Sequence, residues 1–205
     1  MLPPPNPGEG QLEMPLSPQF GIKAPDSATT FRTGVKEIAS QTGLLASFLS
    51  VPYSAGNGGH FNISLWEASS EAADAEDGEW GTGGKRNVLF SQKVEGPSRA
   101  ASQTASTYTL SPFGECFVAG LLSHAAGLEA LCSPTPSCYS RHGHWAPTHC
   151  DWGYDSRLAA VRIKCGRIPS DCYLELRLPS SSSNPYLVLA TAIAAGRCSK
   201  SALCN

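Results

Sequence analysis

From His60 to Trp66 the residues alternate strictly, with His60, Asn62, Ser64 and Trp66 on one side and Phe61, Ile63 and Leu65 on the other. An imidazole, an amide and a hydroxyl therefore share one strand face. They follow the glycine-rich turn Ala55-Gly56-Asn57-Gly58-Gly59, where backbone can approach a ligand closely. An ordinary half-buried strand with its polar side to water meets the same spacing, so periodicity leaves both readings open. A second strand near 172–178 repeats the arrangement: Tyr173, Glu175 and Arg177 lie on one face, and Cys172, Leu174, Leu176 and Leu178 on the other.

Other reactive side chains are less organised. His142, His144, His149 and Cys150 are zinc-type donors, but their irregular spacing favours a solvated loop. His124 sits beside an apolar helical stripe and reads as a structural histidine. Residues 67–84 are acidic (Glu67, Glu71, Asp74, Glu76, Asp77, Glu79) and read as a solvated insertion.

The elements that must position these groups follow from pattern. The proline-rich head through residue 20 reads as irregular, with a short strand near 11–16. Thr33 would cap a helix carrying Val35, Ile38, Ala39 and Leu45, and a strand would cover 46–51. After a Ser/Thr-rich loop over 94–110, Ser111-Pro112 starts a helix with Phe113, Phe117, Leu121 and Ala125 as its buried stripe and Gly127 as its stop. Residues 132–156 read as loop, 158–165 and 172–178 as strands, and Asn184-Pro185 as the start of a helix apolar nearly all round, ending at Gly196. This is an α+β pattern.

The 205 residues are enough for one large domain, and the net charge of -2 offers no basic footprint for nucleic acid. The longest apolar run, Tyr186 to Ala195, is too short to span a bilayer. No signal peptide is visible, which makes a cytoplasmic location the expectation. The eight cysteines include no Cys-x-x-Cys pair and read as reduced thiols.

The Gly56–Trp66 stretch resembles the strand Asn-Gly-Ser-Gly-(Met/Leu)-His-x-His-x-Ser-Leu-Trp of the glutamine synthetase superfamily. Gly56, Gly58, His60, Ser64, Leu65 and Trp66 match, whereas Ala55, Asn57, Gly59 and Asn62 depart. Further segments are similar in the family's order: Gly10-Gln11-Leu12-Glu13, Cys138-Tyr139-Ser140-Arg141, Trp152-Gly153 through Arg157 to Arg162-Ile163, Leu174 to Pro179, and Asn184-Pro185-Tyr186-Leu187. The resemblance covers most of residues 8–196, outside insertions at about 67–84 and 94–110. It leaves a head at 1–7 and a divergent tail at 197–205. It implies a largely antiparallel curved sheet, open as a half-barrel and backed by helices.

For chemistry, the resemblance implies glutamate–ammonia ligation, with ATP as co-substrate and two Mg²⁺ or Mn²⁺ ions bridging its phosphates. Glu13 would serve one ion, and His60 and Glu175 the other. Arg157 and Arg177 would face the transferring phosphate, Ser64 and Arg162 the nucleotide, and Gly56 and Arg141 the substrate glutamate. The departures point the other way. Pro5 stands where a further metal carboxylate would fall, Tyr173 where the family has arginine, and Asn62 where it has histidine. The flap shortens to Arg141–Pro147, with Trp145 nearest the place of the family's proton-accepting glutamate. Loss of such a base costs roughly 10²–10⁴ in rate.

The family's small N-terminal domain is not found in the chain, and both ends read as a truncated or alternatively spliced product. The segments 20–28 and 32–39, with Lys164-Cys165-Gly166, resemble most a vertebrate lens branch of the family. That branch is regarded as non-catalytic, forms large ring oligomers and associates with intermediate filaments. The expectation is therefore a non-catalytic scaffold, with a homo-oligomer and intermediate-filament proteins as partners and neither nucleic acid nor membrane. The alternatives are a residual ligase making glutamine or another γ-glutamyl amide, and a nucleotide sensor without chemistry.

Overall fold

The computed structural model describes residues 10–53, 55–67, 86–93, 106–144 and 146–198. Pro5, Trp145, most of both insertions (with Glu71, Asp74, Glu76, Asp77 and Glu79) and the end of the tail lie outside the described residues.

A four-stranded sheet runs in the order β1 (Phe61–Ile63), β6 (Tyr173–Leu176), β5 (Val161–Lys164), β4 (Trp152–Tyr154). The β1–β6 and β6–β5 pairs are antiparallel and β5–β4 is parallel. A separate antiparallel hairpin joins β2 (Phe90–Gln92) to β3 (Tyr108–Leu110). Alternation makes the sheet two-sided. Ile63, Leu174, Leu176, Val161 and Ile163 point to one side and, with Phe117, Leu121, Leu128, Val188 and Ala192 from the helices, form a single buried core. The polar residues of the same strands are left on the opposite side. The α+β expectation holds.

Three helices cover the apolar side: α2 (Pro112–Ser123), α3 (Ala125–Cys132) and α5 (Pro185–Arg197). Ser111 caps α2 as expected, its Oγ accepting from Gly114 N–H at 2.9 Å. Asn184 caps α5 through Oδ1, which accepts from Tyr186 N–H at 3.0 Å. The two helices approach closely at glycines. A Cβ on Gly120 would lie 2.4 Å from the Ala195 carbonyl oxygen, and one on Gly196 would lie 2.3 Å from the Phe117 ring.

Several boundaries differ from the sequence reading. Gly127 does not stop the helix; the break falls at His124, and α3 leaves α2 at 68°. His124 closes the last turn of α2, its N–H donating to the Gly120 carbonyl at 3.2 Å and its Nδ1 lying 2.9 Å from the same oxygen. Its structural assignment stands. Phe113 is half exposed rather than part of the buried stripe, and α5 buries only one face, leaving Leu187 out. The expected loop 132–156 contains a short helix α4 (Pro136–Tyr139) and strand β4, and the end of the 94–110 loop forms β3.

The first helix, α1, spans Lys23–Gln41 and starts ten residues before Thr33. Pro25 fits its first turn, where no intrahelical N–H is needed, and Asp26 complements the positive end of the helix. It ends at Gly43 (φ +74°), with Leu44 N–H donating to the Ala39 carbonyl and Gly43 N–H to that of Ser40. The stretches 11–16 and 46–51 are not strands; 46–51 is pinned instead by Ser181 Oγ donating to Phe48 O and by Asn57 N–H donating to Ser50 O. Cys116 is disulfide-bonded, which corrects the reading of every cysteine as reduced, while six others are free.

Candidate functional site

The polar side of the sheet gathers the sequence-predicted groups because of strand register. Asn62 lies opposite Glu175, and Glu175 opposite Arg162, across three adjacent strands. His60 and Arg177 flank this row at one end, Lys164 and Tyr173 at the other.

Glu175 is the centre. Its Oε2 accepts from Arg162 Nη1 at 2.9 Å; its Oε1 accepts from Arg177 Nη1 and lies 3.3 Å from His60 Nδ1. Burial by itself would raise the Glu175 pKa. The His60 hydrogen bond and the Arg177, His60 and Arg162 charges outweigh it and hold the carboxyl at about 2. Arg162 also donates from Nη2 to Asp155 at 2.8 Å, and Lys164 Nζ reaches the same oxygen at 2.7 Å. The Lys164 hydrogen bond leads in lowering the Asp155 pKa. Asp155 was not anticipated from sequence. It sits at the sheet edge with φ +54°, a placement that only the β4–β5 pairing creates.

Arg141 is placed differently from the expected clamp. It is 2% exposed and donates from Nη2 to the Leu178 carbonyl at 2.5 Å, and burial lowers its pKa. The turn glycines fit around these groups. A Cβ on Gly56 would lie 2.7 Å from Arg141 Cγ, and one on Gly58 would lie 2.8 Å from His60 Nε2. Gln11 fastens the turn by donating from Nε2 to the Gly56 carbonyl at 3.0 Å. Ser64 accepts from Trp66 Nε1 at 2.9 Å. Ala55 and Tyr173 are half-buried, and Asn62, Glu13 and Arg157 are exposed.

The arrangement is cationic, with guanidinium and imidazole groups converging on one inner carboxylate, and so favours anionic ligands. It suits a divalent ion poorly. Among the described residues no three His, Cys, Asp or Glu side chains gather. His60 and Glu175 do meet, but Glu13 does not join them, and both Glu175 oxygens already accept from guanidinium groups. The donors among the described residues therefore do not make a two-ion site. The His142, His144, His149 and Cys150 set does not converge either: His142 pairs with Glu129 at 3.0 Å and lies against the Pro147 carbonyl, while His149 Nδ1 lies 2.8 Å from Thr148 Oγ1. No single helix among the described residues is long and apolar enough to cross a membrane.

Comparison with known proteins identifies the family and the fold. The family profile "Glutamine synthetase, catalytic domain" matches residues 5–85 and 90–198. The chain is 34% identical over 194 residues to lengsin of Canis lupus familiaris, covering 91% of this chain and 29% of that one. It is 34% identical over 197 residues to the glutamate–methylamine ligase of Methyloversatilis universalis, covering 91% and 37%. The fold is similar to that of Plasmodium falciparum glutamine synthetase, with a TM-score of 0.67 and 26% identity over 85% of this chain and 30% of that one. The chain thus spans about a third of the length of these relatives. With its ordered motifs carried on this sheet and these helices, it belongs to the glutamine synthetase family, by way of the catalytic domain.

Proposed function

We propose that this chain is a non-catalytic glutamine synthetase-like protein, related in role to lengsin, acting as a structural or chaperone-like component. The observation that carries the reading is the state of Glu175. Its two oxygens are taken by Arg162 and Arg177, with one imidazole beside them and no third metal-type donor among the described residues. Metal-bridged ATP chemistry needs carboxylates free to ligate, and here the carboxylate serves as an internal counter-ion. Tyr173 in place of arginine and the Trp145 position support the same reading. The partners that fit are further copies of the chain and intermediate-filament proteins, in the cytoplasm.

A second reading is a working ligase making glutamine or another γ-glutamyl amide. The shared face of His60, Arg162, Glu175 and Arg177 supports it, as does the likeness to glutamate–methylamine ligase. In that case the remainder of the site, Mg²⁺ or Mn²⁺ ligands included, would come from outside the described residues.

γ-Glutamyl hydroxamate formation from glutamate, hydroxylamine, ATP and Mn²⁺ separates the two. Folded protein is expected to give no product above the Glu175→Ala control. Product that disappears in that control would establish the ligase.

A further inference from the structure

The β5–β6 hairpin carries two thiols that neither reading uses. Val161, Arg162, Ile163 and Lys164 face Leu176, Glu175, Leu174 and Tyr173 in turn. One step further along, Cys165 stands opposite Cys172. The strands do not splay there. At the next position a Cβ on Gly166 would lie 2.2 Å from Asp171 Cβ, and Gly166 N–H donates to Cys172 Sγ at 3.2 Å.

The kind of pairing follows from the other end of the ladder. Arg177 N–H donates to the Ala160 carbonyl at 2.9 Å, so 160 and 177 form a hydrogen-bonded pair. Antiparallel ladders alternate, which makes 162/175 and 164/173 hydrogen-bonded pairs and leaves 165/172 at a non-hydrogen-bonded position. Facing Cα atoms there approach to about 4.5 Å, within the roughly 4.4–6.8 Å that a disulfide spans. Both thiols are free, and both belong to the apolar side of the sheet: Cys172 is in the core and half-buried Cys165 packs against it.

We propose that Cys165 and Cys172 form a redox modification site, a cross-strand dithiol that closes to a disulfide with a small-molecule disulfide as oxidant. The Cys165 thiolate attacks one sulfur of oxidised glutathione, breaking its S–S bond and releasing one glutathione thiolate. Cys172 gives its proton to solvent and attacks Cys165 Sγ, expelling the second glutathione. Two protein thiols are oxidised and one glutathione disulfide is reduced to two thiols. Cys165 is the entry point because it is partly exposed, whereas Cys172 is covered. Burial, with Cys172 adding to it, pushes the Cys165 thiol up to about 11, so exchange is slow at neutral pH and quickens as pH rises. The bond would staple the turn leading from Arg162 to Glu175, whichever function the face serves.

The folded full chain, treated with oxidised glutathione at mildly alkaline pH, blocked with iodoacetamide and digested with trypsin unreduced, tests this. Cleavage after Lys164, Arg167 and Arg177 should yield residues 165–167 joined to 168–177, two hydrogens lighter than the separate peptides and split by dithiothreitol. Cys165→Ser should abolish the joined species, and Cys150→Ser, a change at an exposed thiol, should leave it. The glutathione-treated wild type should also melt at a higher temperature than the untreated protein, a shift lost in Cys165→Ser. Recovery of both peptides alkylated, or a lasting glutathione adduct on Cys165 beside a free Cys172, would overturn the proposal.

Discussion

Arg162 faces Glu175 directly across the β5–β6 ladder and bonds it at 2.9 Å, while its other terminal nitrogen holds Asp155 at 2.8 Å. One guanidinium therefore ties the inner carboxylate of the polar face to the sheet edge. Because Arg177 takes the remaining Glu175 oxygen, the face is held together by charge rather than by apolar packing.

That arrangement has a pH signature. The Glu175 carboxyl is held at about 2, below its ordinary 4.5. A depressed carboxylate contributes stability in full above its unfolded pKa and loses it as pH falls through the folded value. Urea melts in metal-free buffer should show stability falling by on the order of 2–3 kcal/mol from this group between about pH 5 and pH 2. Glu175→Gln should be less stable at pH 7 and show a shallower acid decline. An equally steep decline in the variant would count against this assignment.

Arg141 is expected to matter to stability even without ligand. Its buried guanidinium satisfies the Leu178 carbonyl and packs under Gly56. Arg141→Met should cost about 1–3 kcal/mol by leaving that carbonyl without its donor. A urea midpoint unchanged from wild type would mean the side chain is free to clamp substrate instead.

The α2–α5 contact depends on a missing side chain. Gly120→Ala places a methyl against the α5 backbone, which cannot move aside as a flexible side chain would. A loss of roughly 1–3 kcal/mol in chemical denaturation is expected. Ala130, exposed on α3, offers a control position: Ala130→Ser should change stability by no more than about 0.5 kcal/mol.

Ser111 ties α2 to the segment before β2. Its Oγ accepts from Gly114 N–H and donates to the Val88 carbonyl at 2.6 Å. Ser111→Ala removes both bonds and should cost about 1–2 kcal/mol. Ser111→Thr, which keeps the hydroxyl, should recover most of it, as thermal melts of the two variants would reveal.

Much of the polar face was legible in the linear chain. Alternation placed His60, Asn62 and Ser64 together, and Tyr173, Glu175 and Arg177 together, because a strand's side-chain period is two whatever surrounds it. The caps at Ser111 and Asn184 were legible for a similarly local reason, since each side chain satisfies N–H groups two or three residues away. Boundaries set by distant contacts were not. The bend at His124 turns Leu128 and Cys132 onto the sheet, and residues 46–51 are held by Ser181 and Asn57, far along the chain or across a turn, rather than by a strand partner.

By itself, then, the sequence determined which residues share a face, where α2 and α5 begin, and the family, all of which rest on local spacing and motif order. The tertiary structure decided what those residues do to one another. Register set Glu175 between Asn62 and Arg162, pairing with β5 brought Asp155 to Arg162, and burial turned Arg141 inward to the Leu178 carbonyl. Electrostatics depends on distance and burial between residues far apart in the chain, and only the packed fold supplies either.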